Sequence, residues 1–104
     1  MKGEKLLKIY NWRVGNRWVD IAIITANIAG VGYEEVFNTP EEQKSKEWRS
    51  KSLTGKTPTL ETPEGQFINE SAAIARYLAE LGQGKLAGSS NFETAQVNQW
   101  IDYA

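Results

Sequence analysis

Cysteine and histidine are both absent from this sequence of 104 residues. Without cysteine there can be no disulfide, no thiolate metal site and no redox dithiol. Without histidine the chain lacks the commonest general base and the commonest metal ligand, so no metal site is expected. Neither sign of charge dominates: 12 basic and 13 acidic residues leave a formal net charge of −1. That balance gives no electrostatic reason to invoke nucleic acid or an anionic membrane. No apolar run approaches the ~20 residues that a membrane-spanning helix needs. The apolar stretch after Met1-Lys2-Gly3-Glu4-Lys5 is too short for a signal peptide. A cytoplasmic protein is expected.

What is present is an ordinary globular composition, 40% hydrophobic and 24% charged, in a length that suits one small core. Alternation over Leu6 to Tyr10 predicts a first strand. After a loop over Asn11 to Gly15, Asn16 is a candidate N-cap. Trp18, Ile21, Ala22, Thr25, Ile28 and Ala29 then recur at helical spacing until Gly30 and Gly32 stop the run. Ile23 and Ile24 widen that stripe, so this helix needs two faces covered. Tyr33 to Phe37 is a second strand. Thr39-Pro40-Glu41-Glu42 combines a cap, a proline at the first helical position and a capping box. The helix that follows is polar, with Glu42–Lys46 and Glu47–Lys51 spaced for ion pairs, and only Trp48 and Leu53 are expected to be buried. Gly55 ends it. Thr57 to Thr62, a turn at Pro63-Glu64-Gly65, and Gln66 to Ile68 form a hairpin. A helix opens at Glu70-Ser71, carries Ile74, Tyr77, Leu78 and Leu81 on its apolar stripe, and closes at Gly82. A last helical pattern runs from Phe92 to Ala104. The first two strands are expected to be parallel through a right-handed crossover, giving a compact α/β layer fold.

Two segments carry chemistry. Pro58 heads a strand after Gly55-Lys56-Thr57, where it cannot donate a ladder hydrogen bond. A cis Thr57–Pro58 bond would turn the Thr57 backbone outward to pair with an extended peptide; an ordinary trans proline at a strand edge is the alternative. Glu70-Ser71 lies at a helix start. There the Ser71 N–H and hydroxyl suit a carboxylate, and Glu70 could hold an ammonium group. The alternative is that Asn69 or Ser71 only caps the helix. The basic run Lys44, Lys46, Arg49, Lys51 and Lys56 is interleaved with Glu41, Glu42 and Glu47, which favours a solvated helix face over an RNA site. Trp18 and Trp48 are expected in the core. Trp12 sits in the loop facing the presumed pocket, either lining it or covering the sheet edge.

Taken together, Lys56-Thr57-Pro58-Thr59-Leu60-Glu61 and Asn69-Glu70-Ser71-Ala72-Ala73-Ile74-Ala75-Arg76-Tyr77-Leu78 resemble the glutathione-binding half of glutathione transferases. Thr39-Pro40-Glu41, Gly55-Lys56-Thr57-Pro58 and Ala95-Gln96-Val97-Asn98-Gln99-Trp100 look specifically like the gamma-subunit family of translation elongation factor 1B. The resemblance spans nearly the whole chain. It implies a thioredoxin-like α/β fold, βαβαββα with a mixed four-stranded sheet, over residues 1–83. A linker over 84–91 and the first helix of an incomplete all-helical half over 92–104 would follow. It further implies that Thr57 and Pro58 hold the cysteinyl backbone of glutathione, that Glu70 and Ser71 hold its γ-glutamyl end, and that Lys56 helps with the glycyl carboxylate. Glutathione would be a ligand or substrate; no other cofactor is implied.

The chain departs from the family at the catalytic position. Active transferases place a Tyr, Ser or Cys at the end of the first strand or the start of the first helix. The loop Asn11-Trp12-Arg13-Val14-Gly15-Asn16 has none. Tyr10 falls within the strand, and Asn11 and Arg13 are the remaining donors near a thiolate. The expectation is therefore a retained but idle pocket in a non-catalytic interaction domain of the elongation factor gamma subunit. The alternatives are an active transferase acting on small electrophiles, and a transferase-like scaffold of another large assembly. The last helix stops mid-pattern at Ala104, and a helix of this length needs tertiary packing. A longer protein, other subunits of a translation elongation complex, or a second copy in a homodimer would cover the apolar helical faces.

Overall fold

The computed structural model describes residues 6–82 and 86–103. Strand β1 (Leu7–Asn11) leads to helix α1 (Arg17–Ala29), strand β2 (Tyr33–Phe37), and the short helices α2 (Pro40–Gln43) and α3 (Lys46–Lys51). Strands β3 (Thr59–Glu61) and β4 (Phe67–Asn69) follow, then helices α4 (Ser71–Leu81) and α5 (Asn91–Tyr103). The sheet order is β2-β1-β3-β4. β1 and β2 are parallel, as the crossover through α1 requires, and β3 is antiparallel to both β1 and β4. This is the mixed four-stranded α/β fold expected from the sequence.

Side-chain alternation along β1 assigns each face of the sheet. Leu7 and Ile9 join Leu60 of β3, Val19, Ala22 and Ala26 of α1, and Ile74 and Leu78 of α4 in one buried cluster. Tyr10 points the opposite way, its ring 5.3 Å from that of Trp48 in α3. Helices α1 and α4 therefore cover one face and α3 the other. Helix α1 begins where the Asn16 side chain accepts from the Trp18 N–H, and ends at Gly30 with φ 73°, a left-handed conformation that glycine adopts without steric cost. The ends of α1 and α4 touch at Gly82, where a Cβ would lie 2.5 Å from Ala29 Cβ and 2.6 Å from its carbonyl oxygen.

The structure corrects four expectations. The single helix after Thr39 is two. The capping box of Thr39 and Glu42 forms, but Ser45 caps a second helix by accepting from the Trp48 N–H. The break puts Glu42 and Lys46 in separate helices, and neither spaced pair closes into an ion pair among the described residues. Leu53 is 88% exposed rather than buried, and Trp18 is 43% exposed rather than core; Trp48 is buried as expected. The apolar stripe of α1 does have two faces. Val19, Ala22, Ala26 and Ala29 face the core, while Ile24 and Ile28 remain exposed.

Residues 84 and 85 of the expected linker lie outside the described residues, as do 1–5, 83 and 104. Beyond them, Ser90 Oγ accepts from the Glu93 N–H to start α5. Ser89 donates to the Glu93 carboxylate through both its hydroxyl and its backbone N–H, which holds that carboxyl below its usual value. Helix α5 buries no residue completely. Arg76 of α4 ties it down by donating to Asn98 and pairing with Asp102. Among the described residues no helix is long and apolar enough to cross a membrane, and no cluster of acidic side chains is arranged to hold a metal ion.

Candidate functional site

The strand register brings the two chemistry-bearing segments to one end of the sheet. Tyr10 lies opposite Thr59, and Thr59 opposite Asn69. The next residues outward in the three strands are Asn11, Pro58 and Glu70, so the β1–α1 loop, the Thr57–Pro58 bond and the start of α4 share an edge. The Thr57–Pro58 peptide is cis. Asn69 fixes this arrangement: its Oδ1 accepts from the Leu53 N–H and from the Thr59 hydroxyl, each at 3.1 Å. The segment before Pro58 is held from behind. Trp48 Nε1 donates to the Gly55 carbonyl at 3.1 Å, and the Ser52 hydroxyl donates to the Lys56 carbonyl at 2.9 Å.

In front of that segment lies a cleft of about 410 Å³. Trp12 and Arg13 of the β1–α1 loop, Asn16 and Trp18 at the start of α1, Gln43 and Lys44 around the end of α2, and Lys56 and Thr57 line it. Among the described residues three cations and no carboxylate form its walls, so it attracts an anion although the chain as a whole is nearly neutral. Arg13 lies over the Trp12 ring at 5.7 Å, and Arg17 over the Trp18 ring at 4.5 Å.

The start of α4 opens on a neighbouring cavity. Ser71, Ala72 and Ala75 line a space of about 580 Å³ together with Ile21 and Thr25 of α1 and Val97 and Trp100 of α5. Trp18 is on the wall of both cavities. Lys56 and Thr57 thus face the cationic cleft and Ser71 the apolar one, while Pro58 is buried. Glu70 is exposed and holds φ 77°, ψ 125° at the N-cap position of α4 without a side-chain cap bond. A non-glycine residue in that region costs about 1–3 kcal/mol, an expense that recurs at ligand-binding sites. The capping alternatives for this turn do not form: Asn69 is engaged with Leu53 and Thr59, and Ser71 is the first helical residue, with no hydrogen bond to its hydroxyl among the described residues.

The three candidates near the first strand are separated by their hydrogen bonds. The Tyr10 hydroxyl donates to Glu61 Oε1 at 2.7 Å on the α3 side of the sheet, away from the cleft. Burial, together with the adjacent Glu61 carboxylate, pushes its phenol well above the ordinary tyrosine value. Asn11 is buried with both ends of its amide used: Nδ2 donates to Glu35, and Oδ1 accepts from the Trp12 and Arg13 N–H groups. Only Arg13 reaches the cleft. Sequence reasoning treated Asn16 as a helix cap alone and missed that it also donates to Thr57 Oγ1 at 3.2 Å. It placed Trp18 in the core instead of on the cleft wall, and passed over Gln43.

Comparison with known proteins identifies the family and supports the fold. The family model described as "Glutathione S-transferase, N-terminal domain" matches residues 6–80. The "Probable elongation factor 1-gamma 2" of Arabidopsis thaliana is 45% identical over 93 residues, covering 86% of this chain and 22% of that protein. Elongation factor 1-gamma of Drosophila melanogaster is 41% identical over 85 residues, 80% of this chain and 19% of that protein. The chain thus spans about a fifth of the length of these curated relatives. A theta-class glutathione S-transferase from Xanthomonas axonopodis pv. citri, solved with glutathione bound, superposes with a TM-score of 0.82 at 26% identity, over 96% of this chain and 48% of that one. A nematode-specific transferase from C. elegans gives 0.76 at 30% identity, over 93% and 45%. The match over residues 6–80 and the identities of these relatives show that the chain belongs to the family of glutathione S-transferase N-terminal domains.

Proposed function

We propose that this domain is a non-catalytic interaction module of a translation elongation factor 1B gamma subunit, working in the cytoplasm, and that it keeps a pocket for glutathione. The observation that carries this reading is the division of labour at the end of β1. The cleft is cationic and sized for a tripeptide, yet the strand's one hydroxyl, on Tyr10, is bound to Glu61 on the far face. In the proposed pocket the Thr57–Pro58 segment pairs with the middle of the peptide and Lys56 attracts its glycyl carboxylate. Glu70 takes its ammonium group, and Ser71 at the start of α4 takes its γ-glutamyl carboxylate. The exposed apolar residues Ile24 and Ile28 of α1 and Phe92, Trp100 and Tyr103 of α5 offer the surface for other parts of an elongation complex. The similarity to elongation factor 1-gamma proteins supports the assignment to translation.

A second reading, an active transferase, is favoured by one observation: the Arg13 guanidinium lines the cleft and can donate to a thiolate. Calorimetric titration with glutathione and a conjugation assay with a chloronitroarene on the same sample separate the two. Binding without conjugation is the expected result. Conjugation that is abolished by Arg13→Ala establishes the enzyme instead, and absence of binding leaves a scaffold with no pocket.

A further inference from the structure

Among the described residues, Thr57 supplies the only hydroxyl on the wall of the cationic cleft. Its neighbour Asn16 is 4% exposed. The Asn16 Oδ1 accepts from the Trp18 N–H at 3.2 Å, one of the first-turn donors of α1 that have no partner within the helix. That bond fixes the other end of the amide, so Nδ2 faces Thr57 and donates to its Oγ1 at 3.2 Å. The Thr57 oxygen is therefore committed as an acceptor, and its proton is directed away from Asn16. Among the described residues no acceptor takes that proton. A hydroxyl that already accepts one hydrogen bond is polarised to donate the next. The other charged groups on the cleft wall are the cations Arg13, Lys44 and Lys56, none of which can accept it.

We infer that the Thr57 side-chain hydroxyl donates a hydrogen bond to an anionic atom of a thiol peptide held in this cleft, and that Asn16 is the positioning residue that aims it. The inference rests on the glutathione-pocket reading and adds to it a side-chain role distinct from the backbone pairing of the Thr57–Pro58 segment. Two anionic acceptors are available on glutathione, a carboxylate and the thiolate, and both form charge-assisted bonds with a hydroxyl.

The test is calorimetric titration of glutathione and of S-methylglutathione into the wild-type chain and the variants Thr57→Val, Thr57→Ser and Asn16→Asp. Valine keeps the branched shape and removes the hydroxyl; serine restores it. Aspartate still caps α1 but offers Thr57 only acceptors, and so draws its proton out of the cleft. Thr57→Val should weaken glutathione binding about ten-fold, the size expected for a bond to a charged partner, and lower the melting temperature modestly because the buried Asn16 amide loses its acceptor. Thr57→Ser should recover the affinity, and Asn16→Asp should lose it. A loss confined to glutathione assigns the thiolate as acceptor, and an equal loss with S-methylglutathione assigns a carboxylate; either supports the inference. Wild-type affinity in Thr57→Val, or a failure of Thr57→Ser to restore binding, overturns it while leaving the pocket standing. Absence of binding to the wild type overturns the pocket and this inference together. If Asn16→Asp does not fold, the two Thr57 variants decide.

Discussion

Tyr10 shows how a single residue can look catalytic in sequence and be structural in the fold. It sits one position before the end of β1, yet alternation along the strand sends its ring to Trp48 and its hydroxyl to Glu61. Tyr10→Phe should therefore lower stability by about 1 kcal/mol, the usual net worth of such a bond, and leave glutathione affinity unchanged. Denaturant unfolding and titration of the same variant check both. The pH dependence has a definite sign. The folded-state value of the phenol lies above its unfolded value of about 10, so the stabilisation is complete below that pH. It disappears as the pH rises through the folded value. The stability gap between wild type and Tyr10→Phe should accordingly be flat across neutral pH and close only in strong alkali. A gap that closes near neutrality would contradict this account of Tyr10. The two candidate segments were legible at this scale because Gly55-Lys56-Thr57-Pro58 and Asn69-Glu70-Ser71 are each contiguous in sequence. Asn16 and Trp18 were not, because their place on the cleft wall depends on a hydrogen bond across 41 residues and on which face of α1 meets the sheet.

At the scale of elements, local signals decided most of the fold. The Tyr33–Phe37 strand, the Thr39 capping box and the stop at Gly30 were all readable because each is set by neighbouring residues. The split between α2 and α3 was not, since Ser45 reads as an ordinary helical residue until its hydroxyl is seen capping Trp48. Leu53 was misplaced by extending the helix past Lys51, its last residue. In α1 two apolar stripes overlap, and periodicity alone cannot say which one faces the sheet. The small one does: Ala22, Ala26 and Ala29 let α1 lie close against β1 and α4. That close approach gives a prediction. Gly82→Ala would drive a methyl group into the Ala29 backbone and should destabilise the domain by about 1–3 kcal/mol through overpacking. Thermal unfolding measures it, and an unchanged midpoint would show that the ends of α1 and α4 are not in contact.

For the whole molecule, the fold is a firm core carrying a more lightly attached helix. Strand β1 and helices α1 and α4 share the buried cluster, whereas α5 buries no side chain fully and is held through Arg76 and its Ser89–Ser90 cap. Hydrogen exchange should show the strongest protection in β1, α1 and α4 and the weakest helical protection in α5. Equal protection of α5 and α4 would contradict this ranking. Phe92, Trp100 and Tyr103 of α5 and Ile24 and Ile28 of α1 are exposed, so the surface proposed for partners is built on helices while the cationic cleft opens at the sheet's edge. The proposed peptide site and the proposed docking surface therefore lie at different places on one domain.

The most direct test is a calorimetric glutathione titration of Ser71→Ala beside the wild type, with melting temperatures taken on the same samples. Because Ser71 makes no cap bond in the structure, a clear drop in affinity with an unaltered melting temperature is expected. A lowered melting temperature with undiminished affinity would contradict a peptide grip at the start of α4.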